Sequence, residues 1–144
     1  MPSPPGEPKT DRSIESLSER FRPKAQKALT NLRGRLCLLN LIVVVSETWR
    51  SRERQQWLYA SGRTRPGPIL TQKDGVTEKS RHQSGDAIDL LIYRTGHTAD
   101  GPLEDRALQW NMIGEEGAKL GLRWGGAWGD KPHLEDSIAK PVVP

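Results

Sequence analysis

The chain has 144 residues, of which 34% are hydrophobic, and carries a formal net charge of +4 from 22 basic and 18 acidic residues. That length suits one domain with its own core, and the mild positive balance favours polyanionic surroundings, nucleic acid or a bacterial envelope, only weakly. The single cysteine, Cys37, excludes an internal disulfide and four-cysteine metal sites, and no stretch reaches the ~20 apolar residues of a membrane span.

Residues 1–12, rich in proline and polar groups, read as a loose tail. No basic region followed by an apolar one is visible there, so no signal peptide is expected. From Ser13 or Ser16, Ile14, Leu17, Phe21, Ala25, Ala28, Leu29 and Leu32 recur at helical steps, with a break or kink expected near Arg22 because of Pro23. Leu36 to Val45 reads as a buried strand on its Val43-Val44-Val45 end, with a helix as the competing reading of its leucine-rich first half, and Cys37 reads as a buried structural thiol. Ser51 caps a helix running to Ala60, with Trp57 and Leu58 on its buried side and Gly62 closing it.

Residues 62–80 hold Pro66, Gly67, Pro68 and Gly75 and read as a long loop, a common carrier of function. A strand follows to Tyr93, with Ile88, Leu90 and Ile92 on one face and Asp89, Leu91 and Tyr93 on the other. A helix is expected from Leu103 to Leu120, although Gly114 and Gly117 weaken it. Leu122 to Trp124 reads as a short strand, and Gly125, Gly126 and Gly129 place tight turns before His133. Residues 139–144 read as a second tail. The expected domain is 13–138.

Two clusters carry the chemistry. Ser80-Arg81-His82-Gln83-Ser84-Gly85-Asp86-Ala87-Ile88-Asp89 places a histidine and an aspartate at the start of a strand, and Asp130-Lys131-Pro132-His133-Leu134-Glu135 adds a second histidine. His82, Asp89 and His133 offer two imidazoles and one carboxylate, the inventory of a catalytic zinc site with an open position. Gly85 lets the chain bend so that His82 and Asp89 reach one ion. Asp130 is placed as the base that takes a proton from water, and Pro132 stiffens its link to His133. The same ligands suit other divalent ions, and the first cluster alone also fits an ordinary surface loop.

Ser-x-His-x-x-Gly-x-Ala-x-Asp followed by Asp-x-Pro-His-x-Glu resembles the zinc D-alanyl-D-alanine carboxypeptidase and L-alanyl-D-glutamate endopeptidase family, which includes phage endolysins and VanX- and VanY-type dipeptidases. The block Arg50-Ser51-x-Glu53-x-Gln55-x-x-Leu58-Tyr59-Ala60-x-Gly62-Arg63 and Trp124-Gly125-Gly126 agree with it. The similarity covers about Thr48 to Glu135. The resemblance implies that His82, Asp89 and His133 bind Zn2+ and that Asp130 is the catalytic acid/base. It further implies that Arg50 stabilises the oxyanion and contacts substrate, and that Ser80 helps position substrate. Gln55 sits at a motif position without a catalytic task. Leu134 stands where phenylalanine is usual, Ala127 replaces a residue often polar or acidic, and Trp128 to Asp130 is short, which bears on one substrate wall.

The expected fold is α+β, a small antiparallel sheet with packed helices and the zinc in a surface cleft. The expected activity is an endolysin's cleavage of the L-alanyl-D-glutamate bond of peptidoglycan, leading to host lysis. Such a protein waits in the host cytoplasm and then acts in the periplasm and cell wall, as a monomer with no nucleic-acid partner. A D-alanyl-D-alanine carboxypeptidase on the same site, or a non-catalytic wall- or nucleic-acid-binding module, are the alternatives. Among the remaining groups, His97 reads as a solvated loop residue, Asp86 as a surface or turn residue, and Glu135 as a partner that orients the metal-binding histidine. Trp128 is the tryptophan expected to line the cleft.

Overall fold

A computed structural model describes residues 6–137, so the tail expected at 139–144 lies outside the described residues. Among the described residues three helices, α1 (Arg22–Cys37), α2 (Arg52–Ala60) and α3 (Asn111–Lys119), accompany four strands, β1 (Leu41–Glu47), β2 (Ala87–Arg94), β3 (Leu122–Trp124) and β4 (His133–Asp136). The strands form one antiparallel sheet in the order β1-β2-β4-β3. This is the α+β architecture expected.

One face of the sheet is apolar and covered by α1 and α3. Phe21, Leu29, Leu32 and Leu36 on the α1 side meet Val43, Ile88, Leu90, Ile92, Ile113 and Leu134 in a single core. Each such side chain contributes about 1.5–3 kcal/mol on burial. The alternation read in β2 holds, because Ile88, Leu90 and Ile92 are buried while Asp89, Leu91 and Tyr93 are only partly so.

Several boundaries differ from the sequence reading. Ile14–Ser16 is a separate 3₁₀ turn, and α1 begins at Arg22 with Pro23 in its first turn. A proline there lacks an N–H that the helix would not use, so it starts the helix rather than kinking it. Leu36 and Cys37 finish α1 instead of opening a strand, and the strand starts at Leu41 after a turn in which Asn40 takes φ 57°. Cys37 therefore lies off the buried Leu29–Leu32–Leu36 stripe and is exposed. The α2 helix is capped as expected, Ser51 Oγ accepting from the Arg54 amide at 3.1 Å. Its buried side is polar, Arg54 and Gln55, rather than Trp57 and Leu58.

The helix expected from Leu103 forms only from Asn111, after a 3₁₀ turn at Leu108–Trp110. Its two glycines have a packing reason. A methyl at Gly117 would meet Leu134 Cδ2 at 2.6 Å, and one at Gly114 would run into the Trp124 ring. Residues 7–11, read from sequence as part of the loose tail, hydrogen-bond to the body. Glu7 Oε1 accepts from Arg54 Nη1 at 2.8 Å, and the Asp11 carbonyl accepts from the Thr48 amide at 2.7 Å. Asp86 is buried rather than on the surface, held by the hydroxyls of Ser18 and Ser84 and the guanidinium of Arg20.

Candidate metal centre

The uncovered face of the sheet carries the polar groups. Asp89 on β2 is the register partner of His133 on β4, and Glu47 on β1 is the partner of Asp89. Simple alternation would have set Ser46 opposite Asp89, but a bulge between Val45 and Glu47 turns Glu47 onto this face. Three adjacent strands thus present a carboxylate, a carboxylate and an imidazole in one row. His82 comes from the 3₁₀ turn Arg81–Ser84, which ends at Gly85 in the left-handed region with φ 75°. A side chain at Gly85 would also strike the backbone of Ser16 to Ser18. Gly85 supplies the bend the sequence suggested.

The ligand atoms of His82, Asp89 and His133 lie within 4.8 Å of one another. His82 Nε2 and His133 Nδ1 are each 3.2 Å from Asp89 Oδ1, and the two rings meet edge to face with centroids 5.2 Å apart. The outer bonds select the tautomers. His82 Nδ1 is 2.7 Å from the Thr48 carbonyl, so this nitrogen carries the hydrogen. His133 Nε2 is 2.8 Å from Glu135 Oε1, so that nitrogen donates to the carboxylate. In both neutral rings the remaining lone pair then points toward Asp89. His82 Nε2 is buried and makes no hydrogen bond. Two imidazole lone pairs and a carboxylate converging on one point can hold a cation between them. Two nitrogens and one oxygen are donors that zinc accepts.

The electrostatics agree. Burial alone would raise the Asp89 carboxyl, but the His82 and His133 imidazoles outweigh it and hold it far below the usual carboxylate range. Burial would lower His133, yet the Asp89 and Glu135 carboxylates push it up to about 9. Without another cation, the site holds a proton where an ion would sit, so protons and metal compete for it.

Arg50 approaches from the β1–α2 link. Its Nη2 donates to Glu47 Oε1 at 2.7 Å and lies 3.7 Å from Asp89 Oδ2, while its Nη1 donates to Gln55 Oε1 at 2.9 Å. Its amide donates to the His82 carbonyl at 3.0 Å. Asp130 stands at the mouth, half-exposed, with Oδ2 4.0 Å from His133 Nδ1. Burial first, and then the charge of Asp89, raise its carboxyl above the ordinary range. The Ser80 hydroxyl is engaged in a capping box, accepting from the His82 amide while Gln83 Oε1 accepts from the Ser80 amide. Ser80 thus fixes the turn that carries His82 and also lines the cleft.

These groups floor a cleft of about 1090 Å³, at the top of the roughly 300–1,000 Å³ range of small-ligand sites. One wall is the segment from Ile69 to Lys73, and the other holds Arg123, Trp128 and Gly129. Trp128, as expected, lines it, half-exposed, and meets the His133 ring edge to face at 6.0 Å. Glu135 orients His133 as read from sequence, and its other oxygen pairs with Arg81 at 2.9 Å. His97 is exposed, lies outside the lining of this cleft and pairs with Asp100 at 3.4 Å. Sequence reasoning missed Thr48 and Glu47. Glu47 ends an apolar strand with a charge, and that abrupt change was the available signal.

Residues 74–136 match the family model described as D-alanyl-D-alanine carboxypeptidase. The peptidoglycan L-alanyl-D-glutamate endopeptidase CwlK of Bacillus subtilis is 36% identical over 101 residues, 65% of this chain and 59% of that protein. The chain therefore spans about three fifths of that curated relative. The L-Ala D-Glu endopeptidase ChiX of Serratia marcescens superposes with a TM-score of 0.59 over 89% of this chain and 88% of that one, at 21% identity, which is a likeness of fold. The segment that matches the family model, residues 74–136, holds all three candidate ligands and Asp130.

Proposed function

We propose that this chain is a zinc peptidase that cleaves the L-alanyl-D-glutamate bond of the peptidoglycan stem peptide. The observation that carries this reading is the convergence of His82 Nε2, Asp89 and His133 Nδ1 on one point, with Asp130 beside it and Arg50 behind it. The Bacillus relative, named for that bond, supports the choice of substrate.

His82, Asp89 and His133 would hold the zinc, which would supply a water of lowered pKa and polarise the carbonyl under attack. Asp130 takes the water proton and returns one to the leaving amine. A carboxyl raised above its ordinary range suits both halves of that exchange. Arg50 offers its guanidinium to the carbonyl oxygen as negative charge develops. Ser80 holds the His82 turn and lines the substrate's path. Trp128 and the apolar side chains of Ile69 and Leu70 grip the peptide on either side. The biological setting proposed is an endolysin, acting on the wall during host lysis. Among the described residues no helix is long and apolar enough to cross a membrane.

The test is digestion of purified peptidoglycan followed by mass spectrometry of the fragments. New amino termini on D-glutamate are expected. Release of free D-alanine instead would sink this reading in favour of the carboxypeptidase. Chelation is expected to abolish activity and zinc to restore it. Asp130→Ala is expected to keep its zinc and lose turnover, whereas His82→Ala loses both.

A further inference from the structure

Gln55 is fully buried, on the polar inner side of α2. Its amide is used at both ends. Oε1 accepts from Arg50 Nη1 at 2.9 Å, and Nε2 donates to the Lys73 carbonyl at 2.8 Å and to Thr71 Oγ1 at 3.3 Å. Only a carboxamide supplies an acceptor and a donor at this reach. The aliphatic stem is in contact too. Gly75 has φ +86°, and a methyl there would lie 2.9 Å from Gln55 Cγ, so the wall segment rests directly on this side chain. Its carbonyl in turn accepts from Gln83 Nε2 at 3.0 Å, and Gln83 belongs to the turn that carries His82.

Arg50 has two carboxylates within reach of Nη2, Glu47 at 2.7 Å and Asp89 at 3.7 Å. Gln55 is the neutral acceptor on the opposite Nη1 that keeps the fork, already bonded to Glu47, from rotating onto Asp89. Without it, Arg50 is free to turn onto Asp89, competing with a cation for that carboxylate.

We propose that Gln55 is a positioning residue that sets Arg50 and the Thr71–Lys73 part of the cleft wall with one amide, so that the oxyanion partner and the substrate wall are placed together. The role assigned to Arg50 rests on the function proposed above.

Two substitutions separate the halves. Gln55→Glu keeps an acceptor for Arg50 but sets a carboxylate against the Lys73 carbonyl, releasing only the wall. Gln55→Met fills the space and releases both. With zinc-loaded protein and a stem-peptide substrate, Gln55→Glu is expected to raise KM about threefold or more, with kcat close to that of the parent. Gln55→Met is expected to lower kcat about tenfold or more as well. Hydrogen exchange of the backbone from Thr71 to Ser80 is expected to quicken in both variants. Rates are normalised to bound zinc, so that loss of folded protein does not mimic the effect. Parent-like kcat in Gln55→Met would overturn the coupling to Arg50, and unchanged exchange in both variants would overturn the coupling to the wall. If Gln55→Met does not fold, a tenfold fall of kcat in Gln55→Glu refutes the assignment. If the parent itself fails to cleave stem peptides, the proposed function is wrong, and the exchange measurement alone still decides whether Gln55 holds the wall.

Discussion

One methyl group added at Gly125 should separate fold from function. A Cβ there would lie 2.8 Å from His133 Cβ, about 0.6 Å short of the 3.4 Å at which ordinary contact begins, and closer still to the Asp130 carbonyl oxygen. Gly125 does not have positive φ, so the requirement is space rather than backbone freedom. The Gly125 carbonyl also accepts from the Asp130 amide at 2.8 Å, and the His133 amide donates to the Asp130 carbonyl at 3.2 Å. The three residues are one tight unit, and relief at one displaces the others. Gly125→Ala is therefore expected to shift Asp130 and His133 relative to each other by a sizeable fraction of 1 Å. Such a shift costs about tenfold to a hundredfold in kcat/KM, or about 1.4–2.7 kcal/mol of transition-state stabilisation. Overpacking costs about 1–3 kcal/mol of stability, which a folded domain survives. The assay is kcat/KM on a stem peptide, normalised to bound zinc, beside a thermal melt. Gly121→Ala is the control. Its φ is +72° and its surroundings are open, so it strains the backbone away from the site and lowers stability alone. A Gly125→Ala protein with parental kcat/KM and zinc content would refute the steric argument.

Glu135→Gln removes the charge that polarises His133 Nε2–H and is expected to weaken zinc about 10- to 100-fold in a chelator competition. Parental affinity would show that Glu135 serves Arg81 and Arg123 alone. At Glu116, Lys119 and Arg35 outweigh burial and lower the carboxyl below its ordinary value. Its stabilisation is thus present above the unfolded pKa and lost as pH falls through the folded one. Urea melts should show the parent ahead of Glu116→Gln above about pH 5, the gap closing as pH falls below the ordinary carboxylate range, and a gap constant across that fall would contradict the sign. Deletion through Asp11 strips the Thr48 amide of its acceptor and Arg54 of Glu7, while Arg54 keeps Glu47, at a cost of about 1–3 kcal/mol. That lowers Tm by several degrees, and because Thr48 holds His82 it weakens zinc as well. An unchanged Tm would mean that the segment is ornamental.

The convergence of His82, Asp89 and His133 was legible as a candidate ligand set from residue type and spacing, and the resemblance to a peptidase family added the roles. His82 and Asp89 flank a strand start, and Asp130 and His133 flank a proline. The central strand was legible for a similar reason, since its alternation carries through to the buried and open faces. The start of β1 was not, because Leu36 to Leu39 are apolar whether they end a helix or open a strand, and only tertiary packing decides. The polar inner side of α2 was also hidden. Burial of Arg54 and Gln55 depends on Glu47, which faces them only through the strand bulge, and on Glu7 and the cleft wall, which are distant in sequence. Glu47 itself needed the bulge, which no local pattern announces. The glycines of α3 looked like weakness in a helix, and their use is visible only once Trp124 and Leu134 are packed on them.

The row Glu47–Asp89–His133 runs across three strands, and β4 is only four residues long. A slip of one residue in the β2–β4 pairing would send His133 to the helix-covered face and bring Leu134 out beside Asp89. An ion gripped by both Asp89 and His133 forbids that slip. Zinc would then act as a pin for the last strand, stabilising the native pairing in proportion to the logarithm of its concentration. The metal supply would govern how long β4 stays seated as well as how fast the site turns over.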